Sequence, residues 1–423
     1  MKRIELYMLA VLAAAPCGMR AQDSVSLDGY RQRVLAYSYT LKQAAETVKA
    51  AHETARGSYT GFLPQLSADG DFSVNFRNRY GSDGSLLRPY SFSLQPAIVQ
   101  TIYSGGSVRD SYRQAETGYD IAQLQQQQSE LEVSYLAEYN YWNLASNEAQ
   151  MRITQQYERI VREMYDVIHT RFDDGYVAKT DLLMIQTRLR EAEFSRVQAE
   201  NLYKVSLQNF NILMGDAPDE PQRLADSVTQ RAALPPRVDP RQALDDHPDY
   251  RIADRRIDFE RYNVRLSAAR FNPQLSGGVQ GVWRNKTPNR NGSSEVDGLA
   301  FLRLSVPIFH WGERRHAVAA SQAALRSAEY ARSQTADNLT LQISSAWTNI
   351  VEATLQIEIS KANLNVAREN LSLNTFSYNE GQLTILDVIS AQLSWLQAYT
   401  NAVTASFNEK VAIAAYRKAA NIR

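Results

Sequence analysis

The sequence predicts an exported membrane protein of the α+β class, in which one helix–strand–strand–helical-hairpin unit is written twice. Three observations predict it. The chain opens on a leader-like segment, an internal repeat covers nearly everything after it, and each repeat carries two alternating apolar/polar segments followed by proline-free helical runs.

The leader comes first. Lys2 and Arg3 form a basic end, Leu6 to Pro16 is an apolar stretch too short to span a bilayer, and Ala21–Gln22 fits a cleavage point. Residues 1–21 therefore read as a secretory signal peptide, with a buried N-terminal helix as the alternative. The only cysteine, Cys17, lies inside it. The stretch "LAAAPC" loosely resembles a lipid-attachment site, and Pro16 directly before the cysteine weakens that reading. Without Cys17 the mature chain has no disulfide and no thiol chemistry. Lys plus Arg number 46 and Asp plus Glu number 46, so no charge excess points to nucleic acid. No later stretch has the roughly 18 consecutive apolar residues of a transmembrane helix. Strands leave a much weaker signal and remain a way into a membrane.

The repeat is read from "FLPQLS" at Phe62 and "FNPQLS" at Phe271. Around them Pro64 aligns with Pro273, Val48 with Ile257 and Arg56 with Arg265, without a gap. Farther on, Tyr103 and Gly106 align with Phe309 and Gly312, and "RFDDGYVAKTDLL" aligns with "SYNEGQLTILDVI". That last pairing sets Gly175 on Gly381 and Asp181 on Asp387. The first repeat spans residues 22–222, a linker rich in Pro and Asp spans 223–243, and the second repeat spans 244–423.

Each repeat opens with a helix that the motif's proline stops, since proline lacks the N–H and crowds the preceding turn. Two strands follow, predicted at 66–77 and 90–102, then at 275–285 and 298–309. Leu66, Ala68, Gly70, Phe72, Val74 and Phe76 share one face of the first, opposite Ser67, Asp69, Asp71, Ser73, Asn75 and Arg77. The linkers between paired strands, around Gly81–Gly84 and Asn291–Ser294, are polar and rich in glycine. Helical hairpins then run over 106–214 and 313–420. The stretch from Gly106 to Asp173 would be roughly 100 Å long as a helix. Ile350, Ile357, Leu364, Leu371 and Tyr378 recur at heptad spacing, and Ile153, Tyr157, Ile160, Met164 and Val167 step by fours and threes, as in coiled-coil seams. A glycine turn at Gly175 or Gly381 reverses the chain between the two helices.

Four half-apolar strands cannot close a barrel alone, because an open sheet in lipid leaves edge N–H and C=O groups unpaired. Two copies would give eight strands and three would give twelve; closure alone does not choose. The alternative is a soluble four-stranded sheet packed on helices. Reactive constellations are lacking. His52, His169, His247, His310 and His316 form no HExxH, and no Walker or G-x-S-x-G sequence occurs. No catalytic, metal or cofactor site is expected. His247 reads as a helix cap and His310 as a packing residue at a strand-to-helix corner.

The two tip sequences "RFDDGYVAKTDLL" and "SYNEGQLTILDVISAQ", the paired PQLS motifs and "LSVPIFHWG" resemble the TolC-like outer membrane efflux proteins. The resemblance runs the length of the mature chain. It implies a homotrimer with a twelve-stranded barrel in the outer membrane, continued by an α-helical tunnel in the periplasm. It implies as partners a periplasmic adaptor (membrane fusion) protein and an inner-membrane transporter of the RND or ABC type, and for the chain itself the role of a passive duct. By residue, it places Gly175, Tyr176, Val177, Gly381, Gln382 and Leu383 at adaptor-contacting tips, and Pro64, Pro273, Gly106 and Gly312 at helix–strand corners. The entrance or gate would comprise Asp387, Asp181, Thr180 and Tyr378, with Ser390 where a second acidic residue often stands. Leu383 occupies the position of the family's gate arginine. A pore-less structural coiled-coil protein of the envelope is the alternative; the alternating strands argue against it. Nothing in the sequence chooses the cargo among drugs, metal ions, detergents and proteins.

Overall fold

The computed structural model describes residues 24–74, 76–77, 90–284 and 295–422. The expected signal peptide, Cys17 and both strand-joining linkers lie outside them. The chain divides into two units, one of Ser38–Leu136, Ala233–Gln356 and Val411–Arg423, the other of Met1–Tyr37, Ala137–Ala232 and Ile357–Lys410.

The first of these holds the sheet. Strands β1 (Gln65–Val74), β2 (Tyr90–Ser104), β3 (Gln274–Arg284) and β4 (Glu295–Ser305) pair antiparallel in chain order. The register puts Leu66 opposite Ile98, Ile98 opposite Val279, and Val279 opposite Ala300. One face therefore carries Leu66, Ile98, Val279, Leu302 and Leu304, while the other mixes Asp69, Gln95, Gln280 and Arg303 with Leu299 and Phe301. Among the described residues nothing covers the apolar face: Leu66 is 77% exposed and Leu302 is 70% exposed. Among the described residues β1 and β4 each have one strand neighbour, so both edges of the described sheet are open.

The sheet is entered and left through helices at one end. Helix α2 (Tyr39–Tyr59) leads by a short 3-10 turn to Pro64, and α5 (Pro248–Ala269) leads to Pro273. Helix α3 (Ser107–Asp173) follows β2, and α6 (Glu313–Asn379) follows β4. Gly105 and Gly106 turn the first corner at positive φ. A Cβ on Gly105 would lie 2.6 Å from Asn272 Cβ, so only glycine fits this close approach. His247 caps α5: its Nδ1 accepts from Asp249 N at 3.2 Å. Burial pushes the His247 imidazole below its usual pKa, which keeps it neutral and able to accept.

One strand is shorter than its pattern. β4 stops at Ser305 although the alternation continues to Phe309. The reason is physical: β3 begins at Gln274, opposite Ser305, so the residues beyond have no neighbour to bond.

The second unit is helical. It contains α1 (Leu27–Tyr37), α4 (Lys179–Met214), most of α7 (Ile385–Ala419), and the tip-side stretches of α3 and α6. The sequence reading had no place for α1. Its Tyr30 stacks on Phe210 with centroids 3.9 Å apart and gives its hydroxyl to the Phe210 carbonyl. The stretch after α4 is tied down as well: Val25 bridges Leu224, and Asp226 accepts from Tyr141 Oη at 2.8 Å. α4 ends on Gly215 at φ 86, against the ring of Tyr37.

Candidate functional site

The two hairpin tips lie in this second unit and share one geometry. Where α3 ends, Gly175 takes φ 77, its N–H reaches the Phe172 carbonyl and the Tyr176 N–H reaches Arg171. Where α6 ends, Gly381 takes φ 75, its N–H reaches Tyr378 and the Gln382 N–H reaches Ser377. These are paired C-terminal caps in which a left-handed residue satisfies the last carbonyls. A Cβ on either glycine would meet nothing, so backbone conformation alone calls for glycine.

The helices restart differently. Before α7, Thr384 donates its hydroxyl to Asp387 Oδ2 at 2.6 Å and its N–H to the same oxygen at 3.0 Å. These bonds, the hydroxyl's first, hold the exposed Asp387 carboxyl below the usual carboxylate range. At the other tip Ala178 caps α4 without a side-chain bond. Asp181 there donates its N–H to the Ala178 carbonyl, and Thr180 is exposed. Ser390 is exposed one turn beyond Asp387. Of the tip residues, Tyr176 is 81% exposed, Leu383 is 38% exposed, and Val177 packs on the seam between the hairpins.

Tyr378 is buried in that seam. Its ring faces the Arg171 guanidinium, 5.1 Å from the centroid. Among the described residues no hydrogen bond joins Tyr378 to Thr180 or Asp181 within one chain. This contact joins the end of α3 to the end of α6, and alignment of the tip sequences does not indicate it.

Four helices build the seam, which gathers Ile153, Tyr157, Val161, Ile185, Leu189, Val388, Ile389 and Trp395 among others. α3 pairs with α4 through Arg162–Glu193 and Arg196–Glu158. It meets α7 at Gln150 and Thr400, and at Trp142, over which Lys410 sits 4.6 Å from the ring centroid. α6 packs on α7 near Ala367 and Ala398. α4 and α6 each keep an apolar stripe facing out. Phe194, Val197, Val205 and Ile212 are exposed on α4, and Ile359, Val366, Leu373 and Phe376 on α6.

No described helix is long and apolar enough to cross a membrane. Among the described residues no group of three or more His, Cys, Asp or Glu could hold a metal ion.

An uncovered amphipathic sheet joined to paired helical hairpins defines the class of outer membrane channel-type proteins that combine strand and coiled-coil parts. The chain belongs to the outer membrane efflux protein family, whose family model matches residues 30–216 and 240–421. It is 22% identical over 391 residues to Nodulation protein T of Rhizobium leguminosarum bv. trifolii, covering 87% of this chain and 79% of the relative. It is 23% identical over 393 residues to the alkaline protease secretion protein AprF of Pseudomonas aeruginosa, covering 89% and 77%. The Campylobacter jejuni CmeC outer membrane channel has the same fold, with a TM-score of 0.80 at 17% identity over 93% of this chain and 85% of that one. The open-state Neisseria gonorrhoeae MtrE outer membrane channel gives 0.78 at 16% identity, over 93% and 88%. Family membership places the chain in the outer membrane and among export channels.

Proposed function

We propose that the chain is the exit duct of a three-part export system, passive itself and energised by an inner-membrane transporter through a periplasmic adaptor. The observation that carries this reading is the sheet, apolar on one face, polar on the other and open at both edges. Lipid excludes open edges, so copies must share one barrel. Three copies would contribute twelve strands, the number the family resemblance implies. The apolar face then meets lipid and the polar face lines water. The unmatched stripes on α4 and α6 support the same assembly, because two different surfaces on one subunit generate a closed ring when the rotation closes.

In that ring the repeats 22–222 and 244–423 act as half-protomers joined by 223–243. Gly175, Tyr176, Val177, Gly381, Gln382 and Leu383 form the tips that the adaptor contacts. Asp387 supplies a single acidic ring at the entrance, with Ser390 adding no second charge. Tyr378, Thr180 and Asp181 form the gate, and Arg171 holds Tyr378. Pro64, Pro273, Gly106 and Gly312 mark the corners between barrel and tunnel. Cargo follows the pump, which is of the RND or ABC type; the name AprF attaches protease secretion to that relative and leaves this chain's cargo open.

The test is twofold. Unheated detergent-extracted protein should run near three times the subunit mass and collapse to monomer on heating. The same preparation should insert into planar bilayers with discrete conductance steps. A monomer recovered from the soluble periplasmic fraction would sink the reading.

A further inference from the structure

The end of β4 carries information about where a second copy sits. Past Val99, the tail of β2 leaves β1 behind and pairs with β3 alone: Gln100 with Gly277, Thr101 with Ser276, Tyr103 with Leu275 and Ser104 with Gln274. In the second repeat Ser305 stands where Val99 stands, and Val306–His310 correspond to Gln100–Ser104. These five residues lie beyond the end of β4 without a strand partner among the described residues, and their apolar side chains are bare: Ile308 is 91% exposed and Phe309 is 67% exposed. The partner that β3 gives to β2 has one counterpart, the β1 of another copy. Pro307 fits this, since it corresponds to Thr101 at the register shift of β2, and a residue without an N–H is tolerated at a bulge.

The corner beyond repeats the argument. Gly105 turns left-handed and packs against Asn272, whose Nδ2 donates to the Gly105 carbonyl at 3.3 Å. The equivalent of Gly105 is Trp311, and the equivalent of Asn272 is Leu63. Trp311 takes the same left-handed turn, at φ 49, which is strained for a residue with a Cβ. It is 88% exposed, and Leu63 is also exposed. A polar glycine–asparagine joint inside the chain is thus replaced by an apolar tryptophan–leucine pair whose halves do not meet within it.

We infer that residues 306–311 are the locking joint between copies: Val306–His310 extend β4 along β1 of a second copy, with Phe309 opposite Leu66, and Trp311 seats on Leu63 of that copy. This rests on the ring reading above and adds its register. By the same correspondence, Leu304 faces Gly70. Phe309 and Leu66 then share the apolar face, as Tyr103 and Leu275 do within the chain.

The experiment uses full-length protein extracted in detergent, read by native mass and by a non-reducing gel. The Leu66→Cys/Phe309→Cys double variant should give a disulfide-linked dimer and trimer ladder. Either single variant should give none, and neither should Leu66→Cys/Leu304→Cys. A trimeric mass without that cross-link, or a cross-link through position 304 in place of 309, overturns the joint while the ring stands. A monomeric mass overturns the ring reading itself. Trp311→Gly removes both the strain and the anchor, so the trimer should dissociate at lower temperature while the helical circular-dichroism melt is unchanged. Unaltered heat resistance of the trimer would overturn the Trp311 contact and assign that ring to lipid.

Discussion

Gln392 offers the sharpest test of how the hairpins hold together. It lies on the stripe of α7 formed by Ile385, Val388, Ile389, Trp395 and Tyr399, and it is 1% exposed. Among the described residues neither its Nε2 nor its Oε1 has a hydrogen-bond partner. A buried polar group left unpaired costs about 1–3 kcal/mol. Gln392→Met keeps the straight side chain and nearly the same volume while removing the amide. The seam should gain about 1–3 kcal/mol, because each side of the exchange is otherwise alike. Amide hydrogen exchange reports this locally: a gain near 2 kcal/mol slows opening-limited exchange of the α7 amides by roughly 30-fold. Gln186, its counterpart in the first repeat, is exposed on α4, and Gln186→Met should change nothing. Because the amide favours the parted seam, where water can reach it, the Gln392→Met channel should also open less often in planar bilayers. Faster exchange in Gln392→Met would refute the reasoning, since it would mean that the amide is satisfied in the native seam.

Three further outcomes follow from the tips and the helical unit. Asp387→Ala should weaken cation block of single-channel conductance; unchanged block would remove Asp387 from the entrance. The Asp387 carboxyl is held low by Thr384, so its cap contributes above the unfolded pKa and is lost as pH falls through the lower folded value. Block should accordingly persist into acid, and Thr384→Val, which removes the hydroxyl, should move its loss to higher pH. Arg171→Ala should release the ring of Tyr378 at a cost of about 0.5–1 kcal/mol, seen as two- to five-fold faster exchange at the end of α6 on the usual free-energy scale, roughly. Gly215→Ala would need a left-handed alanine, costing about 1–2 kcal/mol, with its Cβ 2.6 Å from the Tyr37 ring. Gly118→Ala, within α3 and free of neighbours, should instead stabilise by about 0.5–1 kcal/mol, with both variants read by urea denaturation followed by circular dichroism.

Much of the architecture was legible because local chemistry leaves local marks. Pro64 and Pro273 end helices whatever surrounds them. Gly175 and Gly381 mark reversals because a left-handed cap suits glycine. The period-two stretch of β1 sorted its faces, since a strand with one apolar side has no other arrangement, whereas β4 also sends Leu299 and Phe301 to the polar face. Less was legible where a residue's role depends on a distant partner. Arg171 looks like an ordinary last-turn cation of α3, and nothing near it in sequence marks the ring of Tyr378. α1 has weak amphipathic patterning and is held by Tyr30 against Phe210, a residue of α4. His247 was readable as a cap because Pro248 follows it, whereas its burial was not.

The deeper limit comes from duplication itself. On the ring reading proposed above, two like repeats meet through two kinds of joint, one inside the chain and one between copies, and alignment of the repeats presents them as the same. Side chains differ where the joints differ. Gly105 meets Asn272 through a hydrogen bond because the folding chain brings them together in every molecule. Trp311 and Leu63 face solvent in the single chain, and in the proposed joint their burial against each other would offset a strained turn. The helices obey the same rule. Gln186 and Gln392 are identical in sequence, yet α4 is a flank and α7 is interior, so one amide is wet and the other is unpaired. Mutating a repeat pair one member at a time therefore measures more than either residue: the in-chain member should move the stability of the subunit, and its counterpart the stability of the ring. A Trp311 variant that weakened the subunit as much as the assembly would contradict that division.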